Sequence, residues 1–277
     1  MIHCLTIDVE DWYHYYPSER WSTFQTRVEE PIKWILNQLA KRKIKATFFV
    51  LGYIAERHPD LVKEIFDYGH EIGCHGYDHK LVFEKTPQEF EIDIKRALNK
   101  IETATGCRPD IYRAPAFSIT PQISWAWKIL YQNGIRRDAS IRMRRRKAKR
   151  FASIPERPFK FQVSKECYIE EYPSCPLRIF GINISFPGGG YLRIVPIKLI
   201  KKCAQNSKNP IIFYIHPRDI DPGQPRIKEF SVLRKWATYF KVDGCREKLI
   251  ELLDSFDVRS LKDTYRNDDI KEIDFRA

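Results

Sequence analysis

His75 and His79, four residues apart in His75-Gly76-Tyr77-Asp78-His79, are the side chains of this sequence best suited to hold a metal. Neutral imidazole is the commonest protein ligand for a borderline divalent cation such as zinc. A spacing of four sets two rings on one side of a helical turn. The ion needs a third ligand, and Thr6-Ile7-Asp8-Val9-Glu10-Asp11-Trp12 offers carboxylates. Two imidazoles, one carboxylate and an open position make a hydrolytic centre, because such an ion polarises a carbonyl and acidifies water. An isolated H-x-x-x-H also occurs on solvated helix faces. Here the pair follows Glu71-Ile72-Gly73-Cys74, a short strand-like segment bracketed by glycine, and so falls where a strand gives way to a loop. His70 precedes that strand and reads as a surface or packing residue.

The elements that must position these groups alternate between strand and helix signals. Ile2 to Ile7 reads as a buried strand, and Pro31 to Arg42 as a helix with proline in its first turn. Ala46 to Leu51 reads as a strand, Pro59 to Tyr68 as a helix and Glu71 to Cys74 as a strand. Thr86-Pro87-Gln88-Glu89 is a capping box opening a helix to about Thr105, closed by Gly106. Asp110 to Arg113 is a strand, Thr120 to Tyr131 a helix and Ile135 to Ile141 a strand. The rhythm then breaks: Phe159 to Val163 and Tyr168 to Tyr172 alternate like strands, and Gly188-Gly189-Gly190 reads as a flexible turn. Pro196 to Ala204 is helical, Pro210 to Ile215 is a buried strand ending at His216-Pro217, and a last helix spans Cys245 to Ser255. Repeated β-then-α units predict a parallel sheet, open or closed into a barrel. Asp8, Glu10, His75, His79, Arg113, Asp138 and His216 then all fall at C-terminal strand ends, which share one face in a β/α barrel. Each alone has a structural reading: Arg113 a surface ion pair, Asp138 a turn residue, His216 a strand-end cap.

A length of 277 residues with 13% aromatics suits one large α/β domain or two small ones, one being the simpler reading without a linker or repeat, and no apolar run reaches the ~20 residues of a membrane span. No signal peptide is evident. Seven scattered cysteines without a C-x-x-C pattern suit reduced thiols, so the sequence reads as cytoplasmic. The net charge of +12 points to an anionic partner. Its densest part, Arg142 to Arg150, reads either as a solvated loop or as a peripheral contact with an anionic lipid or phosphate-bearing substrate. Nucleic-acid readout is not expected, because no recognition motif accompanies the run.

Five ordered motifs carry a family resemblance: Thr6-Ile7-Asp8-Val9-Glu10-Asp11, the H-x-x-x-H pair, Arg113-Ala114-Pro115-Ala116-Phe117-Ser118, Asp138-Ala139-Ser140 and Ile215-His216-Pro217. The chain resembles the polysaccharide deacetylases, the NodB-homology carbohydrate esterases, over about residues 1–221. Phe186 to Arg193 and His216 to Arg226 further resemble the subfamily of bacterial surface-polysaccharide synthesis. The resemblance implies a distorted (β/α) barrel of about seven parallel strands, with a β-rich insertion before the last strand. It implies a single domain over 1–277, with a core of about 1–221 and a C-terminal helical extension at 222–277. It further implies a divalent metal, most simply zinc, and removal of an acetyl group from an acetylated sugar, anionic or lipid-linked. Carried over, Asp8 resembles the catalytic base, His75 and His79 the metal pair, and Arg113 the cation orienting the base. His216 resembles the general acid, and Asp138 the carboxylate holding that histidine. Pairing Asp8 with Arg113 keeps the base ionised, and pairing His216 with Asp138 keeps the acid protonated.

The family's second aspartate, a metal ligand, is replaced by Val9, which cannot ligate. Strand alternation directs Glu10 to the face of Asp8, making Glu10 the expected third ligand and Asp11 the alternative. Tyr77 and Trp12, with Pro115 and Phe117, are the substrate-facing candidates. Two other functions compete with the deacetylase: a C–N amide hydrolase acting on a small non-sugar molecule, and a sugar-binding protein without catalysis.

Overall fold

Ile2-His3-Cys4-Leu5-Thr6-Ile7-Asp8-Val9 is apolar on both faces, the pattern of a strand covered on either side, and it forms β1 (Ile2–Val9), buried from His3 onward. The structure, a computed structural model, describes residues 2–143, 154–179, 182–184, 188–266 and 270–274. After β1 come α1 (Glu29–Lys41), β2 (Thr47–Val50), α2 (Gly52–Arg57), α3 (Pro59–Asp67), β3 (Glu71–Cys74), α4 (Pro87–Thr105), β4 (Ile111–Tyr112), α5 (Trp125–Gln132) and β5 (Arg137–Asp138). The β-rich segment contributes β6 (Phe159–Ser164), β7 (Cys167–Glu171), β8 (Leu177–Ile179) and β9 (Ile182–Ile184). The chain continues through α6 (Gly190–Ile194), α7 (Ile197–Gln205), β10 (Ile212–Ile215), α8 (Val232–Tyr239), α9 (Cys245–Ser255), β11 (Asp257–Arg259), α10 (Leu261–Thr264) and β12 (Lys271–Glu272).

These elements form two compact units, one of residues 1–46 with 176–264 and one of residues 47–175 with 265–277. In the first, β1 runs parallel to β10, with Cys4 opposite Ile212 and Ile7 opposite Ile215, and also parallel to β11. Thr6 donates its hydroxyl to the Phe213 carbonyl at 3.2 Å, so its polar atom is satisfied inside the sheet. His3 is buried as well. Its Nδ1 accepts from the Ile211 amide at 3.1 Å, and burial pushes the imidazole down to about 4, leaving it a neutral packing ring.

In the second unit the strand order is β2-β3-β4-β5-β7-β6-β12. β2, β3, β4, β5 and β7 pair in parallel, and β6 joins β7 as an antiparallel hairpin. The expected capping box is present: the Glu89 amide donates to Thr86 Oγ1 at 3.2 Å and Glu89 Oε2 accepts the Thr86 amide at 2.7 Å. α4 packs on α2, α3 and α5 through a stripe of Phe90, Ile94, Ala97, Leu98 and Ile101.

Three expectations change. The strand predicted over 135–141 shortens to Arg137–Asp138, whose partner β4 is itself two residues long. The extension beyond residue 222 is not purely helical, since it adds β11. That strand escapes sequence reading because only Val258 of its three residues is buried, so no apolar run marks it. Of the basic run 142–150, residues 144–150 lie outside the described residues, and with them most of its expected membrane contact. Among the described residues no helix is long and apolar enough to cross a membrane.

Candidate active site

The first unit gathers the carboxylates and the last-strand histidine. Asp8 and Glu10 lie on one side of the end of β1, while Val9 between them is fully buried in the core. Asp8, Glu10 and His216 bring one ligand atom each to within 4.8 Å of one another, so the expected alternation holds. His216 follows β10, and its Nε2 stands 3.9 Å from both Asp8 Oδ2 and Glu10 Oε1. The Arg218 guanidinium donates to Glu10 and lies 4.5 Å over the Tyr15 ring.

Asp11 is spent differently. Its Oδ2 accepts Thr26 Oγ1 at 2.6 Å, the Arg27 amide at 2.9 Å and the Val28 amide at 3.2 Å, and its Oδ1 accepts the Trp12 amide at 2.8 Å. It satisfies amides leading into the first turn of α1, where the helix leaves N–H groups without internal partners. Burial raises its pKa against those hydrogen bonds. Of the two candidate third ligands, Glu10 is the one whose carboxylate faces other donor atoms.

The expected partner of His216 is corrected. Its Nδ1 lies 2.9 Å from Asp219 Oδ2, which also accepts the His216 amide at 2.9 Å. Pro217 starts a short 3-10 turn that folds Asp219 back onto His216. Burial alone would raise Asp219, but His216, Arg193 (Nε 3.3 Å from Oδ1) and Arg218 hold it well below the usual carboxylate range. Asp138 instead uses both oxygens inside its own unit, accepting Trp127 Nε1 at 2.6 Å and Ser140 Oγ at 2.5 Å. The glycine run beside His216 is a close approach rather than a free turn. A Cβ at Gly188 would lie 2.2 Å from the Tyr214 ring, and Gly189 adopts φ +51° against the His216–Asp219 pair.

The second unit presents the imidazole pair at the end of β3. The His75 and His79 ring centroids lie 5.6 Å apart. They do not share a helical turn, as the spacing alone suggested. The segment is a loop in which Gly76 (φ +77°) and His79 (φ +56°) take left-handed backbone, and these two residues fold the rings together. For histidine that conformation is costly and persists only where surroundings impose it. The surroundings are Asp93 of α4, whose carboxylate accepts the Tyr77 amide at 3.1 Å and the Asp78 amide at 3.3 Å, and Lys85, 2.7 Å from Asp93 and 2.6 Å from Asp78. Burial pushes Asp93 up to about 6, a rise that Lys85 limits. His75 Nδ1 lies 2.7 Å from the Arg113 carbonyl. A hydrogen bond there places the proton on Nδ1 and turns the Nε2 lone pair outward, the arrangement of a metal-ligating imidazole with its outer partner in place. The donor set therefore fits a borderline divalent ion.

Arg113 is fully buried, not a surface ion pair; its guanidinium lies 4.1 Å over the Phe49 ring and its Nε donates to the Ala139 carbonyl at 3.4 Å. The substrate-facing candidates fare unevenly. Trp12 is core: it is 8% exposed, donates Nε1 to the Gln25 carbonyl at 3.0 Å and packs edge-on against Phe24. Tyr77 has Arg96 over its ring at 3.7 Å and donates its hydroxyl to Glu56, so that face is taken by a cation. Pro115 is buried and opens a short turn in which Ala116 (φ +50°) and Phe117 (φ +56°) are both left-handed, and Phe117 is half-buried.

Sequence reasoning missed Asp219, Arg193, Asp93 and Lys85. For Asp219 the signal was present: a proline-opened turn brings residues i and i+3 together, and His216-Pro217-Arg218-Asp219 has that form. Asp93 sits inside the apolar stripe of α4, and a buried charge in such a stripe needs a purpose. Nothing local marks Arg193 or Lys85.

Residues 18–136 match the family model described as polysaccharide deacetylase, and residues 139–266 match a domain of unknown function, DUF3473. The peptidoglycan-N-acetylglucosamine deacetylase PgdA of Listeria monocytogenes is 32% identical over 90 residues, which cover 32% of this chain and 19% of that protein. The match thus spans about a fifth of that relative's length. The peptidoglycan deacetylase of Helicobacter pylori is 26% identical over 76% of this chain and 68% of its own. The peptidoglycan deacetylase PdaC of Bacillus subtilis superposes with a TM-score of 0.53 at 16% identity, covering 96% of this chain and 90% of that one. A Bacillus anthracis pseudoenzyme of carbohydrate esterase family 4 superposes with a TM-score of 0.52 at 17% identity, covering 99% and 66%. These likenesses show an α/β fold of the NodB type, with mostly parallel strands, that hosts active and inactive members alike. Residues 18–136 thus carry the polysaccharide deacetylase match, and the chain is similar to members of that family in sequence over this part and in fold over most of its length.

Proposed function

We propose that this protein is a metal-dependent hydrolase that removes an acetyl group from an N-acetyl sugar. His75 and His79 would hold the ion, with Glu10 as third ligand because the oxygens of Asp11 are committed to backbone amides. A bound divalent ion, most simply zinc, would polarise the acetyl carbonyl and acidify water. Asp8 takes the proton from the attacking water as general base. By the resemblance alone, Arg113 would be the cation that orients that base. His216 delivers a proton from Nε2 to the leaving nitrogen as the amine departs. Asp219 at Nδ1 fixes the ring's orientation and stabilises the imidazolium, and it remains ionised because Arg193 and Arg218 neutralise its burial.

The observation that carries this reading is the loop at 75–79: two imidazoles held together by left-handed backbone, one with Nδ1 committed to a carbonyl. A fold needs no such strain to pack two rings. The test is acetate release from peptidoglycan fragments, nucleotide-linked and lipid-linked acetamido sugars and small non-sugar amides, with metal content measured on the same preparation. Release from acetamido sugars is expected. Turnover confined to non-sugar amides would establish the other hydrolase. Saccharide binding without turnover would place the protein with the inactive members of the fold. Seven free cysteines suit a reducing compartment, which favours a cytoplasmic precursor within the panel. The resemblance to surface-polysaccharide enzymes favours a lipid-linked or anionic one.

A further inference from the structure

None of the eight residues of α8 is buried. Val232 and Leu233 are 82% and 81% exposed, and Trp236 is 51% exposed. At 3.6 residues per turn these three, with Phe240 just past the helix, fall within about 100° of arc. Trp236 and Phe240 stack at 4.8 Å, so the stripe presents a continuous aromatic and aliphatic ridge. Apolar surface concentrated this way on a soluble fold marks a contact.

The rim says what kind of contact. Residues 226–241 carry Arg226, Lys228, Arg234, Lys235 and Lys241 against a single acid, Glu229, and Glu229 accepts the Tyr16 hydroxyl at 2.6 Å. Arg234 packs 4.0 Å over the Phe230 ring at the foot of the helix. A second copy of this chain would bring two cationic rims together on molecules of net charge +12 each. A polyanion without apolar groups would leave Val232 and Leu233 in water. An anionic lipid surface satisfies both features: headgroup phosphates meet the cations, and the ridge enters the headgroup layer with its tryptophan at the interface. A convex ridge suits a soft layer better than it suits a groove.

We propose that α8 is an interfacial helix that seats this protein on an anionic lipid surface through Val232, Leu233 and Trp236, with Arg226, Lys228 and Lys235 on headgroup phosphates. This goes beyond the hydrolase reading and does not depend on it. It does have a route to the same site. The Arg193 guanidinium donates to the carbonyls of Ala237 (2.9 Å), Thr238 (2.7 Å) and Phe240 (3.1 Å) at the end of α8, and its Nε stands 3.3 Å from Asp219, which holds His216. One side chain ties the docking helix to the histidine.

The test is co-sedimentation of the full chain with phosphatidylcholine vesicles, with and without phosphatidylglycerol. Val232→Ser/Leu233→Ser/Trp236→Ser and Lys228→Glu/Lys235→Glu are run alongside, and circular dichroism checks that both stay folded. The expected result is salt-sensitive binding to phosphatidylglycerol vesicles, about tenfold weaker or more in each variant. Unaltered binding by the triple-serine variant would overturn the proposal, because other cations would then suffice. So would absence of vesicle binding by the unaltered protein, or a self-associated dimer in sedimentation that the serine variant abolishes without any vesicle binding.

Discussion

Asp219 and Asp138 are both buried aspartates near strand ends, and they are put to opposite uses. Asp219 is surrounded by His216, Arg193 and Arg218, which hold its carboxyl well below the usual range despite burial. Asp138 is raised by burial, and its neighbour Glu171 is raised well above its ordinary value, first by burial and then by the charge on Asp138. Trp127 and Ser140 donate to Asp138, so the negative charge of that pair belongs there and the proton on Glu171. Glu10 and Asp11 repeat the contrast one residue apart: Glu10 faces Asp8 and His216, whereas Asp11 faces amides. Asp219 and Glu10 thus have side-chain cations among their partners, whereas Asp11 and Asp138 are held by amides, hydroxyls and an indole.

The largest effect should separate the two aspartates directly. Asp219→Ala should lower kcat by about 100-fold, the scale of general acid catalysis, with KM and metal content little changed. Asp138→Asn should leave kcat within about threefold. Equal losses in both variants, or the reverse order, would return the histidine-holding role to Asp138.

Next comes the proton between Asp138 and Glu171. A raised folded-state pKa means that stability is fully present below the unfolded value and lost as pH rises through the folded one. Glu171→Gln should therefore raise the melting temperature at pH 8, and the gain should vanish near pH 4. A gain that persists in acid would mean packing rather than ionisation.

At the end of β1, Glu10→Gln should strip the protein of tightly bound metal. Asp11→Asn should leave metal content unchanged and cost about 1 kcal/mol through weakened capping of the turn into α1. The smallest change belongs to Tyr77→Phe. If the tyrosine is a clamp between Glu56 and Arg96 and not a sugar platform, KM should stay within about twofold and stability should drop by less than about 1 kcal/mol.

Much of this was legible from residues alone, and the failures have physical reasons. α4 and α9 end where capping and apolar period place them, because those signals are local. Alternation along β1 correctly put Asp8 and Glu10 together, since a strand's period is two. The loop after β3 was expected, but not its path: a spacing of four sets two rings on one side only if the backbone is regular, and Gly76 makes it irregular. Trp12 was taken for a sugar contact because composition cannot tell an exposed indole from one donating to Gln25. The Asp138–His216 pairing failed because motif order carries no information about which carboxylate a turn folds inward. Arg193 was invisible, because its partners are carbonyls more than forty residues along the chain.

In the proposed mechanism His75 and His79 would hold an ion that the chemistry requires. The most direct measurement is acetate released from an N-acetylglucosamine oligomer by the purified protein, before chelation, after chelation and after restoring zinc. Release that is abolished by the chelator, recovered with zinc and absent throughout in His75→Ala is the expected result. Release indifferent to chelation and to that substitution would contradict it.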